Sequence, residues 1–210
     1  MKKSGFDSQI EQSILRVALV EFHNKGTHGA RMQHIADEAQ VSKSMLHYYF
    51  VNKETLFRRV FEITLSNIFP KINRILSSDL PLFQKIAVFM NTYTDILFEH
   101  YHSSAFILAE LATNTDQVLA LMVTGSGFDM TVFKKQIEEE YKKGRIQKID
   151  TRILFLNMLS LCVFPFVGIQ VQLKRFNMNQ TEYFNLLEQR KSIITSMIIE
   201  SIKVKELETT

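Results

Sequence analysis

The chain has 210 residues with 46% hydrophobic side chains, 7 Gly, 3 Pro, 1 Cys and a formal net charge of +3. That length allows one large or two small domains with a real core, the lone cysteine excludes a disulfide framework within one chain, and the scarcity of Gly and Pro argues for long helices, an all-α fold, over many short strands. The N-terminus, MKKSGFDSQIEQ, has two lysines but no apolar run of signal-peptide type, so the expected location is cytoplasmic. Residues 1–60 hold nine Lys/Arg against six Asp/Glu while residues 61–210 hold sixteen of each, so the whole positive excess lies in the first segment.

A first helix is expected from about Ser8 to His23. Ser8 and Glu11 have capping-box spacing, Ile10, Ile14, Leu15, Ala18, Leu19 and Phe22 make an apolar stripe, and Lys25-Gly26 ends it. Two short helices with a tight turn follow. Met32, Ile35, Ala36 and Ala39 fall at i, i+3, i+4 and i+7, one buried face of the first. Gln40 and Val41 make the turn, and Ser42 sits where an N-cap belongs. Val41 and Leu46 have the spacing of a hydrophobic staple. Leu46 and Phe50 point inward, leaving Lys43, Ser44, His47 and Tyr48 outward. Asn52 caps the next helix, whose first turn carries Lys53 and whose core begins at Leu56 and Phe57.

Ile35-Ala36, Val41-Ser42, Leu46-His47-Tyr48-Tyr49-Phe50 and Asn52-Lys53-Glu54-x-Leu56-Phe57 together resemble the TetR family of transcriptional regulators, over roughly residues 8–60. The resemblance implies a three-helix DNA-binding head in residues 1–60, with the helix-turn-helix at about 31–50, and a fourth helix leading to a ligand-binding and dimerisation domain in residues 61–210, about nine helices in all. It also implies a homodimer on a palindromic double-stranded DNA operator, mostly a repressor, that lets go when a small molecule enters the second domain. A helix of such a motif enters the major groove. Lys43, Ser44, Met45, His47 and Tyr48 are the expected reading surface, Gln33 a base contact from the preceding helix, and Arg31 and Lys53 phosphate contacts. The chain departs from the family pattern at Gln40, where Gly is usual, at Ala30-Arg31, where Thr is usual, and at His47, where Tyr is common. Gly at the turn suits a positive φ that Gln tolerates less well.

From Lys53 a long helix is expected toward Ser77-Ser78-Asp79, with Pro70 kinking it or ending its first half; the domain boundary is placed inside it, near residue 60. Pro81 suits the first turn of the next helix, lined by Leu82, Ile86, Phe89, Met90, Tyr93, Leu97 and His100. A short helix, SSAFILAELAT, follows and brings Glu110 close to an apolar face. One helix is expected from Asn114-Thr115-Asp116 to Lys143, weakened in its middle by Gly125 and Gly127 at ~1 kcal/mol each. Asp150 caps the next. Residues 153–171 are the most apolar stretch and are expected as one helix buried on all sides; Pro165 and Gly168 inside it argue against a membrane span. The last helix begins at Asn179, with Glu182 completing a capping box.

The final helix and residues 153–171 offer more apolar surface than one small bundle covers, which predicts a two-fold, four-helix homodimer interface that Ile194→Asp with Ile198→Asp would break. Between residues 81 and 170, rings and thioethers suggest a pocket for a small apolar effector, with Phe89, Met90, Phe106 and Phe128 as lining and Tyr93, His100, Glu110 and Asn157 as the orienting polar groups. The six histidines show no metal spacing, and no nucleophile elbow, phosphate loop or dinucleotide fingerprint occurs. No catalytic residue, cofactor or membrane partner is therefore expected. The competing reading is an all-α small-molecule sensor or carrier whose head does not bind DNA, and a third is a protein–protein adaptor. Lys43 and Lys53 around an exposed aromatic helix favour DNA over both.

Overall fold

The computed structural model describes residues 5–99, 107 and 127–204. Among these, the helices are α1 (Gly5–Gly29), α2 (Met32–Glu38), α3 (Lys43–Tyr49), α4 (Lys53–Leu76), α5 (Leu82–Glu99), α6 (Thr131–Lys142), α7 (Thr151–Val163), α8 (Ile169–Phe176) and α9 (Gln180–Ile202), with a 3-10 turn at Phe164–Phe166. An isolated bridge between Ile146 and Lys203 is the nearest approach to a strand among the described residues. The fold is all-α. It divides into two compact units inside α4, between Ile68 and Phe69.

In the first unit the stripe on α1 does what its spacing requires: Ile14, Ala18 and Phe22 are fully buried, against Ile35 and Ala36 of α2, Leu46 of α3, and Leu56, Phe57 and Phe61 of α4 as the other buried residues. Phe22 meets Phe57 edge-on at 5.6 Å, and Phe57 stacks on Phe61 at 5.6 Å, arrangements aromatic pairs favour. Gly26, at φ +63° and ψ 172°, breaks the ladder of α1 as expected of a terminating glycine. Ser8 lies inside α1 and does not cap it, because the helix already runs from Gly5.

The second unit packs α5 against α7 and α9, with α6 against α5 and α7. Its buried side chains include Ile86, Phe89 and Met90 of α5, Phe133 of α6, Leu154 and Met158 of α7, and Ile194, Ile198 and Ile202 of α9. Lys85 is buried to 1% exposure and donates to the Leu76 carbonyl at 3.2 Å, closing the C-terminal end of α4. Burial pushes its ammonium pKa down, only partly opposed by Asp79. Beyond α6, Gln147 ties the chain to the end of α9 through its N–H to the Ile202 carbonyl at 2.7 Å and its amide to Lys203 at 2.8 Å.

Several expectations about long helices are corrected. Pro70 does not end α4, which continues to Leu76; Ser66 and Pro70 are both exposed, so the carbonyl that loses its donor is on the solvent side. The single helix expected through Gly127 to Lys143 is not present at residues 127–130. Gly127 is in a bend, and the helix begins only at Thr131, where Asp129 accepts the Thr131 N–H at 2.9 Å and Asn73 accepts that of Asp129 at 2.9 Å. Residues 153–171 are not one helix either. Pro165 falls in the 3-10 turn and Gly168 adopts φ +63°, so α7 and α8 meet at a 70° bend. No single described helix is long and apolar enough to cross a membrane. Nor is this segment buried all round: Leu156 is 63% exposed and Phe164 65%.

Candidate nucleic-acid interface

The α2–α3 pair is held by local chemistry. At the end of α2 the Gln40 N–H bonds the Asp37 carbonyl and the Val41 N–H the Ala36 carbonyl, both at 3.0 Å, while Gln40 takes φ +56°. This is a Schellman turn with glutamine in the position glycine usually fills. Ser42 then caps α3, its hydroxyl accepting the Met45 N–H at 3.1 Å. Asn52 caps α4 in the same way, accepting from Thr55 at 2.8 Å.

The outward face of α3 consists of Lys43, Ser44, Met45, His47 and Tyr48, all exposed, Tyr48 to 81%. Ser44 shares a 2.9 Å hydroxyl contact with Ser42. His47 Nδ1 lies 3.0 Å from the Val51 carbonyl. A carbonyl only accepts, so Nδ1 carries a proton and Nε2 is the atom turned outward. On α2, Gln33 is exposed and its amide is held by Asp37 at 2.8 Å. Arg31, at the N-cap of α2, is exposed as well. Lys53 is placed differently from a free phosphate ligand. It is half-buried, and its ammonium donates to the carbonyls of His28 at 3.2 Å and Ala30 at 3.3 Å, stapling the α1–α2 turn. Of its three donors, these bonds occupy two.

Two contacts in this unit have no forewarning in local sequence patterns. Tyr49 donates its hydroxyl to Asp7 at 2.9 Å, joining α3 to the start of α1. Glu21, 4% exposed on α1, accepts from Lys25 Nζ at 3.0 Å and the Arg31 N–H at 3.3 Å, and its other oxygen lies 3.0 Å from His34 Nδ1. Burial alone would raise its pKa; the bonds from Lys25 and Arg31 and the nearby His34 and Lys25 charges outweigh this and hold it below its ordinary value.

Of the residues expected to form an effector pocket, the second unit brings Phe89, Tyr93 and Phe128 together. With Phe155 they form a closed group: Phe89–Tyr93 at 5.6 Å, Tyr93–Phe128 at 6.3 Å, Phe128–Phe155 at 5.1 Å and Phe155–Phe89 at 5.7 Å. Met90 is buried beside it and contacts Cys162 Sγ at 3.7 Å. Burial raises the Tyr93 hydroxyl pKa well above its usual value. Asn157 is corrected. It is exposed, beside the packed stripe of Thr151, Leu154, Met158 and Cys162 and not within it. His100, Phe106 and Glu110 lie outside the described residues. A hollow of ≈ 580 Å³ is lined by Asn91, Asp95, Glu188, Lys191, Ser192, Thr195 and Ser196; its polar, charged walls do not suit an apolar molecule.

The apolar surface expected to pair two copies has its inner and outer residues exchanged. Ile194 and Ile198 are 3% and 4% exposed, inside the protomer, whereas Ile193 and Met197 are 59% and 57% exposed. They share the outside of this unit with Ile153 and Leu156 of α7, also exposed.

Residues 14–60 match the model of the bacterial regulatory proteins of the tetR family. Over 69 residues the chain is 41% identical to the HTH-type transcriptional regulator RutR of Escherichia coli K12, a stretch covering 31% of this chain and 32% of RutR; the chain thus spans about a third of that relative's length. A match of 23% identity to YhgD of Bacillus subtilis, an uncharacterized HTH-type transcriptional regulator, covers 71% of this chain and 78% of YhgD. Among solved structures, a Clostridium perfringens protein described as a candidate fatty acid metabolism regulator aligns over 92% of this chain and 100% of its own, with a TM-score of 0.71 and 18% identity.

Proposed function

We propose that this chain, whose residues 14–60 match the model of the bacterial regulatory proteins of the tetR family, is a DNA-binding transcriptional regulator whose α3 reads the major groove of a palindromic operator. The observation that carries this is the face of α3: a capped helix whose outward side chains are all exposed and include a lysine, a histidine and a tyrosine with free polar edges. Lys43, Ser44, Met45, His47 and Tyr48 read the bases, joined by Gln33. Arg31 contacts phosphate, and Lys53 adds its remaining donor after stapling the turn behind it.

Regulation follows the same reading. Two copies pair through the outer faces of α7 and α9, around Ile153, Leu156, Ile193 and Met197, and a palindromic operator asks for two α3 helices roughly 34–36 Å apart, one turn of DNA. The protein represses until an apolar effector, acyl-chain-like or polyaromatic, enters beside the Phe89–Tyr93–Phe128–Phe155 group. The rings already touch one another, so entry requires them to separate, and only an effector that favours the separated state shifts the equilibrium.

Selection from a random duplex pool tests the assignment. His47→Ala and Gln33→Ala should change the preferred sequence, while Arg31→Ala should weaken binding to every sequence and lower the salt slope by about one. Equal loss on every sequence from all the variants would overturn the division between reading and positioning. Thermal shift with apolar compounds on wild type and Phe128→Ala tests the effector; equal shifts in both would place it elsewhere.

A further inference from the structure

α2 lacks an N-cap of its own. Its N-cap residue is Arg31, whose side chain makes no capping bond, and Ala30 before it has no polar atom. In a capping box the carboxylate three residues into the helix reaches back to the N-cap N–H. The residue in that position here is His34, whose Nδ1 faces Glu21 and not the Arg31 N–H. The acceptor comes instead from α1. Glu21 Oε1 takes the Arg31 N–H, and Oε2 lies 3.0 Å from His34 Nδ1. The carboxylate is buried on a helix that faces the start of α2, where the amide dipoles favour a negative charge.

We propose that Glu21 is a positioning residue for DNA binding: its carboxylate supplies from α1 the cap that α2 lacks and fixes the His34 ring, setting the angle of the α2–α3 pair before DNA arrives. The inference rests on the DNA-binding reading above. Both ends of the α1–α2 turn are then held by side chains from other elements. Lys53 fixes the His28 and Ala30 carbonyls, and Glu21 fixes the next amide, at Arg31. An ionised carboxylate offers no proton, so a proton on His34 is favoured at Nδ1, the nitrogen that faces it. His34 is exposed enough for its other edge to reach solvent.

The test uses Glu21→Gln, His34→Gln and the double variant, on full-length protein with a duplex that wild type selects, well below the unfolding midpoint. Each single change should lower affinity by about tenfold, the size of a coupling between two groups in contact, and the double variant should be no worse than the weaker single. Nitrogen-15 spectra of the imidazole should show His34 protonated on Nδ1 in wild type and a mixture of tautomers in Glu21→Gln. Lys25→Ala, which leaves the α2 contacts in place, should bind within about twofold of wild type. Losses that multiply in the double variant, or unchanged affinity with only a lowered melting temperature, would overturn the inference while leaving the DNA reading intact. Failure of wild type to select any duplex would overturn the reading itself, and the positioning role with it.

Discussion

Gln40 gives the sharpest test of how the head is built. It adopts φ +56° at the left-handed position of the Schellman turn and its side chain is exposed, so replacing it removes strain and little packing. A left-handed residue other than glycine costs about 1–2 kcal/mol. Glycine gives back about 0.4–1 kcal/mol of that through the greater freedom of its unfolded chain. Gln40→Gly should therefore stabilise by about 0.5–1 kcal/mol, or about 1–4 °C in melting temperature for a chain of this size. Gln40→Ala is the control, since alanine keeps the strain and should gain nothing. Calorimetry gives the midpoint, and native-state hydrogen exchange at the Val41 and Met45 amides shows whether the gain is at the turn. If glycine and alanine behave alike, or if glycine destabilises, the positive φ is not a cost at this position and the account of the turn is wrong.

Ile193→Asp with Met197→Asp should produce folded monomers in sedimentation, because both side chains are on the outer face of α9; a surviving dimer would put the interface elsewhere. Ile194→Asp should instead unfold the second unit, since it buries an unpaired charge. The Cys162 thiol, pushed up to about 11 by burial, should resist thiol-directed reagents at pH 8 until the protein is denatured, and rapid reaction of the native protein would contradict its placement. Glu21 has a folded pKa below its unfolded value, so its contribution to stability is present above the unfolded pKa and is lost as pH falls through the folded one. Acid unfolding of wild type and Glu21→Gln should therefore converge at low pH and separate toward neutrality; parallel curves would refute this.

What could be read from the sequence is what depends on near neighbours in the chain. The caps at Ser42, Asn52, Asp150 and Asn179 each use a side chain and an amide two or three residues apart. The buried stripe of α1 follows from helical period alone. The departure at Gln40 pointed to a strained turn, and the turn is strained. Tertiary choices were harder. Glu21 is ten residues from the amide it accepts, so no local pattern contains it. On α9 apolar residues occur on adjacent positions, and periodicity could not say whether 193 and 197 or 194 and 198 face the core. In residues 153–171 the uniform apolar composition concealed that Pro165 and Gly168 end one helix and redirect the next, and it gave no period from which to read that Asn157 faces outward.

The central claim is that α3 touches bases, and a photo-crosslinking residue placed at Tyr48 measures it directly. On a duplex selected by the wild-type protein, position 48 should crosslink to DNA at two places related by two-fold symmetry and separated by about one helical turn. The same residue placed at Tyr141, exposed on α6 in the second unit, should give no DNA adduct. Bound DNA with no crosslink from position 48, or with crosslinks from position 141 alone, would contradict the account.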